Sequence, residues 1–248
     1  MACLDDPNVR EVLPISREVI GYGLTAAAPW SAKNIEMSAS GWAFDVFHED
    51  TCWVSAHTHM IGRHNVSNAV ACIAMAHALG LSAAEVKRGL ETFKGVRRRQ
   101  ECVGEAQGVV IYDDFAHHPT AVLETLRAFV PLSQHRQGRL LVVFEPRSNT
   151  SRRRIFQKRW PEAFALADQV FIAPVYIKKD SLSAADMLDP SEIVEDIVKS
   201  GGRAKSFSSN EALKDELLKI VKPGDVLVFM SNGLFEGLPR KTLAALAT

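Results

Sequence analysis

The feature that most constrains the fold is an alternation, from about residue 105 onward, of short apolar runs with amphipathic segments. The predicted strands are GVVIYDD (108–114), RLLVVFEP (139–146), QVFIAPVY (169–176), AKSFSS (204–209) and DVLVFMS (225–231). The predicted helices begin near Pro119, Arg152, Pro190, Asn210 and Leu238, and Asp189 and Asn210 are predicted helix caps. This alternation predicts an α/β domain, with a mostly parallel sheet and crossover helices on both faces.

The first 95 or so residues have a different pattern. VIGYG, GWAFDVF and TCWVSAH predict short strands of a meander, and GRHNVSNAVACIAMAHALGLS predicts a long helix buried on more than one side. A second helix is predicted over Ser82–Phe93, with a capping box between Ser82 and Glu85. KGVRRRQE is the predicted hinge, which divides the chain into residues 1–96 and 97–248.

Composition limits the function classes. Lys and Arg total 29, and Asp and Glu also total 29, so no net field favours nucleic acid or an anionic membrane surface. The apolar runs are too short to span a bilayer, and the start of the chain lacks a signal-peptide pattern. The four cysteines form no CxxC pair. We therefore expect a cytoplasmic protein that binds neither nucleic acid nor membranes.

Polar clusters follow the predicted strands of the second part. They are DDFAHHPT, EPRSNTSRRR, PVYIKKD and SNGLFEG. Because ligands of open α/β sheets bind beyond the carboxyl ends of the strands, these clusters predict a binding site at that edge.

The cluster after the first of these strands suits a nucleotide and a second substrate. Asp114 can accept both hydroxyls of a ribose, and His117 or His118 can orient a carboxylate or phosphate. The structural alternative is helix capping by Asp113 or Asp114.

The next cluster suits a carboxylate. Arg147 can make a bidentate contact, with Ser148, Asn149 and Thr150 beside it. This pattern predicts an amino-acid or peptide carboxylate site.

Two further groups suit anions or nucleobases. The opening turn of the long helix carries His64, Asn65 and Asn68, although capping by Asn65 would need only one of the three. The run Arg97–Arg99 can bind phosphate oxygens, or it can be a solvated linker. His57 and His59 have the spacing of metal ligands on a strand, but no acidic ligands accompany them at a recognisable spacing.

Together these motifs resemble the Mur ligase family, the ATP-dependent amide-forming enzymes of peptidoglycan synthesis. The matching segments occur in the family's order, and they are LDDP, YG, FDVF, GRHNVSNAVA, FKGVRRRQE, YDDFAHHPT and GDVLVFMSNG. The resemblance implies a Rossmann-like domain over residues 97–248, preceded by a partial central ATP-binding domain. It also implies the use of ATP and Mg²⁺ and an acyl-phosphate intermediate on the carboxylate of UDP-N-acetylmuramate.

The resemblance further implies roles for single residues. His64, Asn65 and Asn68 would line the adenine, Arg99 with Arg98 would approach the γ-phosphate, and Asp114 would hold the ribose. Arg99 and His117 are the expected catalytic residues. The residues expected to face the incoming amine substrate are His117, His118, Arg147, Ser148, Asn149, Thr150, Ser231 and Asn232.

Within the family, FEPRSNTSRRRIFQ favours the member that joins L-alanyl-γ-D-glutamyl-meso-diaminopimelate to UDP-N-acetylmuramate over the member that adds L-alanine. The sequence departs from the family because it has neither the UDP-sugar domain nor the GT[HN]GK[TS] phosphate loop with its magnesium-binding residues. We therefore expect a C-terminal portion that does not catalyse ligation alone. Two alternatives are a metal-dependent phosphoesterase that uses Asp114 and His118, and a non-catalytic module that binds a peptide or nucleotide.

Overall fold

A computed structural model describes residues 1–13, 18–25, 28–38, 41–178 and 182–248. The chain forms two compact units, Met1–Gly95 and Val96–Thr248. Each unit has its own sheet and its own buried apolar cluster.

The first unit contains a five-stranded sheet in the order β1-β2-β3-β4-β5. Its strands are β1 (Ala2–Cys3), β2 (Gly21–Gly23), β3 (Trp30–Ser38), β4 (Gly41–His48) and β5 (Thr51–Thr58). The antiparallel pairs are β3 with β4 and β4 with β5, whereas β2 pairs in parallel with both of its neighbours. The meander prediction is therefore confirmed for β4 and β5 and wrong for β2.

Strand β3 was not predicted from the sequence, and its residues explain why. Lys33, Asn34 and Glu36 interrupt the apolar alternation, and the register with β4 shifts between Lys33 and Glu36. Asn34 has a φ of 52°, a left-handed conformation that asparagine tolerates. The strand thus carries a bulge that a strict period of two does not predict.

Three helices belong to the first unit, namely α1 (Pro7–Glu11), α2 (Arg63–Ala78) and α3 (Ala83–Thr92). One stripe of α2, including Val66, Val70 and Ile73, is buried in the core. The expectation of burial on more than one side is wrong, because Met75 is 45% exposed on the same helix. The capping box that begins α3 is confirmed, with the side chains of Ser82 and Glu85 each bonded to the other's backbone N–H.

The second unit contains a six-stranded sheet in the order β10-β9-β8-β11-β7-β6. Its strands are β6 (Glu101–Ala106), β7 (Val109–Asp114), β8 (Leu140–Phe144), β9 (Gln169–Ile172), β10 (Ala204–Ser206) and β11 (Val226–Met230). All neighbours are parallel except β6 and β7, which confirms the mostly parallel sheet. The edge strand β6 was missed because its sequence, ECVGEA, is half polar and contains a glycine.

Helices cover both faces of this sheet. They are α4 (Pro119–His135), α5 (Trp160–Ala163), α6 (Pro190–Lys199), α7 (Asn210–Ile220) and α8 (Leu238–Leu246). On one face, residues of β7, β8 and β11 form a core with leucines of α7 and α8. On the other face, Tyr112 packs on Phe129 of α4 with ring centroids 4.7 Å apart, and Phe144 packs on Trp160 of α5 at 4.5 Å.

The helix starts confirm one detail of the sequence prediction and correct two. Asp189 caps α6 as expected, but the cap of α7 is Ser209, and Asn210 is the first helical residue. The helix predicted near Arg152 is instead a 3₁₀ segment, Arg154–Arg159, followed by the four-residue α5. Within the described ranges, no helix is long and apolar enough to cross a membrane.

Candidate active site

The carboxyl ends of β7, β11 and β8 lie side by side because β11 is between the other two strands. The amide of Ser231 donates to the carbonyl of Asp114 at 3.1 Å, and the amide of Glu145 donates to the carbonyl of Met230 at 3.0 Å. These bonds place the three polar clusters DDFAHHPT, EPRSNT and SNG at one edge of the sheet, which is the edge where open α/β folds bind ligands.

Asp114 is 5% exposed and organises this edge. Its Oδ2 accepts from the amide of Gln100 at 2.8 Å, and its Oδ1 accepts from the amide of Ala116 at 2.8 Å and from the hydroxyl of Thr125 at 3.3 Å. A carboxylate has about four acceptor positions, so one remains for a further donor. Contact with a ribose stays a prediction.

Asp113 points the other way and pairs with Arg98, whose Nε is 3.6 Å from its Oδ2. Burial raises the pKa of Asp113 to about 6; Arg98 opposes the rise, and the charges of Glu101 and Asp114 add to it. Neither acid caps α4, because the cap of that helix is His118. The capping alternative for Asp113 and Asp114 is therefore wrong.

The segment before β6 has two residues in the left-handed region, Arg98 with φ 59° and Gln100 with φ 53°. Both are fixed by carboxylates, since the amide of Arg98 donates to Glu101 at 2.8 Å and the amide of Gln100 donates to Asp114. A non-glycine residue in this region costs on the order of 1 kcal/mol, which the two bonds offset.

The structure distinguishes the two predicted phosphate-binding arginines. The half-buried guanidinium of Arg98 donates to the carbonyl of Ser231. Arg99 is exposed, and its guanidinium lies over the ring of Phe115 at 5.0 Å. Arg98 therefore holds the segment in place, and Arg99 presents its charge to solvent.

The two histidines also have different environments. Nδ1 of His117 is 2.7 Å from the carbonyl of Phe115; because a carbonyl only accepts, Nδ1 carries the proton and Nε2 of the neutral ring is an acceptor. Nδ1 of His118 instead accepts the amide of Thr120 at 3.3 Å, which caps α4. Burial lowers the pKa of His118, and the charges of Arg159 and His117 lower it further.

Arg147 is held at the end of β8 by its neighbours. Its guanidinium carbon lies 3.7 Å above the ring centroid of Tyr176, and its Nη1 is 3.5 Å from Oε1 of Glu145. A Cβ atom added to Gly233 would lie 2.0 Å from Nε of Arg147, so a side chain at that position would displace the arginine. The guanidinium is thus fixed between an aromatic ring and a glycine.

Of the three predicted residues after Arg147, Ser148 is turned inward, whereas the roles of Asn149 and Thr150 stay predictions. Ser148 is 7% exposed and turned inward, where its hydroxyl donates to that of Ser151 at 2.8 Å. Asn149 and Thr150 are exposed, and Oδ1 of Asn149 accepts from Lys178 at 3.2 Å. Ser148 therefore shapes the turn. The three positions after Lys178, numbers 179 to 181, lie outside the described part of the chain.

Ser231 and Asn232 complete this edge. Ser231 is 1% exposed, and its hydroxyl donates to Glu145 and accepts from the amide of Gly233 at 2.9 Å. Oδ1 of Asn232 is a buried acceptor without a hydrogen-bond partner in the described residues. Its predicted contact with the incoming substrate stays a prediction.

The first unit carries the other predicted group at the start of α2. The helix begins after Gly62 without a side-chain cap, so capping by Asn65 is wrong. Nδ2 of Asn65 donates to the carbonyl of Ile61 at 2.8 Å, and Nδ2 of Asn68 donates to Oδ1 of Asn65 at 3.2 Å. His64 is half-buried beside them. The amide network orders this turn, and its role toward adenine stays a prediction.

The ranges that the structure describes contain no set of metal ligands. No three His, Cys, Asp or Glu side chains are grouped there as metal ligands would be. The rings of His57 and His59 are 4.9 Å apart, but Nε2 of His59 is within 3.2 Å of the carbonyl of Glu91. His57 and His59 therefore form no Mg²⁺ site in these ranges, and no third ligand accompanies the Asp114 and His118 of the phosphoesterase alternative there.

Comparison with protein families decides the class. Residues 98–233 match the family model described as the Mur ligase glutamate ligase domain, and residues 2–76 match the Mur ligase middle domain. The chain belongs to the Mur ligase family. Members of this family are ATP-dependent ligases of peptidoglycan synthesis.

Curated relatives of this Mur ligase chain include UDP-N-acetylmuramate--L-alanine ligases. That of Rhizobium etli is 34% identical over 241 residues, and that of Mesorhizobium japonicum is 35% identical over 240. Each alignment covers 93% of this chain and 50% of the relative. The chain thus spans about half the length of the curated relatives that it matches.

Two solved structures add to this. A murein peptide ligase from Psychrobacter arcticus is 31% identical with a TM-score of 0.58, covering 90% of this chain and 45% of that one. A UDP-N-acetylmuramate-alanine ligase from Thermotoga maritima has a TM-score of 0.71 at 23% identity, over 91% and 47% of the two chains, and shows the shared fold.

Proposed function

We propose that this chain is the part of an ATP-dependent ligase that binds the incoming amine substrate. The ligase joins the carboxylate of UDP-N-acetylmuramate to the amine of an L-alanyl group. The incoming substrate in this proposal is the tripeptide L-alanyl-γ-D-glutamyl-meso-diaminopimelate. The observation that carries the proposal is the guanidinium of Arg147, fixed between Tyr176 and Gly233 at the ligand-binding edge of the sheet.

A guanidinium that is already ordered suits a carboxylate of the incoming substrate. Arginine can bind both oxygens of a carboxylate at once, and less conformational entropy is lost when its side chain is held before binding. L-Alanine and the tripeptide both carry a carboxylate. The segment FEPRSNTSRRRIFQ, which resembles that of the peptide-joining member of the family, is what favours the tripeptide.

The same edge provides groups for the reaction that the family resemblance implies. ATP with Mg²⁺ supplies the phosphoryl group that activates the muramyl carboxylate. Arg99 presents an exposed cation, which suits charge on a transferring phosphoryl group. Nε2 of His117, an acceptor in the neutral ring, suits removal of a proton from the attacking amine. Asp114 remains a proposed contact to the ribose. In the first unit, taken by itself, His64, Asn65 and Asn68 remain proposed contacts to the adenine.

The second candidate is addition of free L-alanine. The names of the curated relatives favour it, because relatives at 31 to 35% identity are UDP-N-acetylmuramate--L-alanine ligases. These names support L-alanine better than the tripeptide. Both candidates have an L-alanyl amine, and they differ in whether its carboxyl group is free or is joined to further residues.

Isothermal titration calorimetry on the 248-residue chain separates the two. We expect the tripeptide to bind more tightly than L-alanine, and we expect Arg147→Ala to weaken tripeptide binding about tenfold or more, as for loss of a charged hydrogen-bond pair. Arg127→Ala is the matched control, because Arg127 is an exposed arginine of α4 that pairs with Glu124.

The results can contradict the proposal in two ways. Binding of L-alanine that equals or exceeds that of the tripeptide would favour the second candidate. Tripeptide binding that is the same in Arg147→Ala and Arg127→Ala would remove Arg147 from the site.

A further inference from the structure

Glu145 is a buried acid at the candidate site that the proposed reaction does not use. It follows the last residue of β8 directly and is 4% exposed. A carboxylate in such a place is costly unless it is hydrogen-bonded or paired. The contacts of Glu145 indicate its role.

Each carboxylate oxygen of Glu145 has a different partner. Oε2 accepts the hydroxyl of Ser231, and Oε1 is 3.5 Å from Nη1 of Arg147. The guanidinium has five N–H donors, so this long contact leaves most of them for a ligand. The arginine that receives the carboxylate in the proposed function is therefore oriented by an acid on its inner side.

Ser231 connects Glu145 to the segment that carries Arg98 and Arg99. Its hydroxyl donates to Glu145, and its carbonyl accepts the guanidinium of Arg98, next to Arg99. Ser231, which follows β11, thus contacts both Glu145 at the end of β8 and Arg98 in the segment before β6. Arg147, through Glu145, and the segment that carries Arg99, through Arg98, are therefore both linked to Ser231.

We propose that Glu145 is a positioning residue, which holds the guanidinium of Arg147 over Tyr176 and links it through Ser231 to the segment that carries Arg98. Its effect on substrate binding rests on the proposed function, but its effect on Arg147 does not.

Positioning by Glu145 and simple charge repulsion predict opposite changes in the affinity for an anionic ligand when Glu145 is neutralised. If Glu145 acted only as a nearby negative charge, its neutralisation would strengthen binding of an anionic ligand. If Glu145 positions Arg147, the isosteric change Glu145→Gln releases the guanidinium and weakens binding, because the ordering must then occur on association. We expect tripeptide binding to weaken about tenfold, the loss typical of a hydrogen bond to a charged group.

A ligand-independent measurement tests the positioning itself. In nuclear magnetic resonance spectra of the ¹⁵N-labelled chain, the Nε–Hε signal of Arg147 is expected to be displaced by the ring current of Tyr176, and Arg147→Lys identifies that signal by its loss. We expect Glu145→Gln and Ser231→Ala both to move the signal toward the position of exposed arginines. Glu236→Gln is the matched control. Burial is the main cause that raises the pKa of Glu145, the charge of Glu236 adds to the rise, and Glu236 itself contacts Asn210.

The outcomes separate this inference from the proposed function. Movement of the Arg147 signal in Glu145→Gln and Ser231→Ala, but not in Glu236→Gln, supports positioning even if the tripeptide fails to bind the wild-type chain. An unmoved signal in a folded Glu145→Gln variant overturns the inference. So does tripeptide binding that becomes tighter in that variant, since this is the result of charge alone. Thermal melts of each variant establish that it is folded.

Discussion

At the residue scale, Asp113 and Asp114 are neighbours on β7 whose side chains point to opposite faces of the sheet, as successive strand residues must. Asp114 accepts three hydrogen bonds, two of them from backbone amides. Asp113 pairs with Arg98, and burial raises its pKa to about 6. Asp114 thus organises the site, whereas the neighbouring Asp113 carries a poorly solvated charge.

This difference predicts a pH dependence of stability. The pKa of Asp113 is about 6 in the folded chain against 3.8 for the unperturbed group. Between about pH 4 and pH 6 the folded state therefore keeps a proton that the unfolded state has lost, so stability falls as pH rises through this range. Asp113→Asn removes that loss, and its unfolding free energy relative to wild type should increase by about 2 kcal/mol between pH 4 and pH 7.

Urea unfolding at both pH values measures this change. Glu195→Gln is the control, because Glu195 is an exposed acid of α6 that pairs with Lys199 at 3.5 Å. The attraction of Arg98 is already included in the folded-state pKa of Asp113, and effects of the substitution that do not vary with pH cancel in the comparison between pH values. A difference between Asp113→Asn and wild type that does not vary with pH would contradict the assignment.

Residue types at the site could be predicted from the sequence, but side-chain directions could not. The rule that ligands bind beyond the carboxyl ends of the strands led to Arg147, Ser231 and Asp114. It could not show that Ser148 turns inward to Ser151, or that Glu145 belongs with Arg147. Those facts depend on which strands are neighbours, and the signal for Glu145 was present only as an acid at a predicted strand end.

At the element scale, the four central strands of the second sheet were predicted from continuous apolar runs. β7, β8, β9 and β11 are buried and rich in β-branched residues. β3 carries a bulge and β6 is an edge strand with a half-polar sequence, so neither has the required period. The helix predicted near Arg152 is the 3₁₀ segment Arg154–Arg159 followed by the four-residue α5, which begins at the fully buried Trp160.

Helix α3 allows a test of local conformation. Gly89 is in its interior, and a Cβ atom there would meet no atom within 4 Å. We expect Gly89→Ala to raise the unfolding free energy by about 0.5 to 1 kcal/mol, because alanine loses less backbone entropy in a helix. Gly201 has equally open surroundings but a φ of 85°, so Gly201→Ala should lower stability by about 1 kcal/mol. Denaturant unfolding of the two variants gives both signs, and a stabilised Gly201→Ala would contradict the conformational explanation.

At the scale of the whole molecule, the chain contains matches to two Mur ligase domains and spans about half the length of its curated relatives. We expect no ligation of tripeptide to UDP-N-acetylmuramate by this chain with ATP and Mg²⁺, because its sequence contains no phosphate loop. Addition of a polypeptide with the first half of a curated relative should restore ligation, and Arg99→Ala should reduce the restored rate at least about a hundredfold.

Detection of the amide product by mass spectrometry measures this reaction. Ligation by the chain alone would contradict the expectation. Restored ligation of L-alanine but not of the tripeptide would leave the ligase class intact and change the substrate.

The position of β11 also has a consequence for synthesis. It follows the other described strands in the chain, yet it lies between β8 and β7, which are not hydrogen-bonded to each other without it. Until Val226–Met230 has been synthesised, the other strands of this sheet therefore form two separate groups with open edges. Insertion of this central strand then brings Asp114 and Glu145 to either side of Ser231.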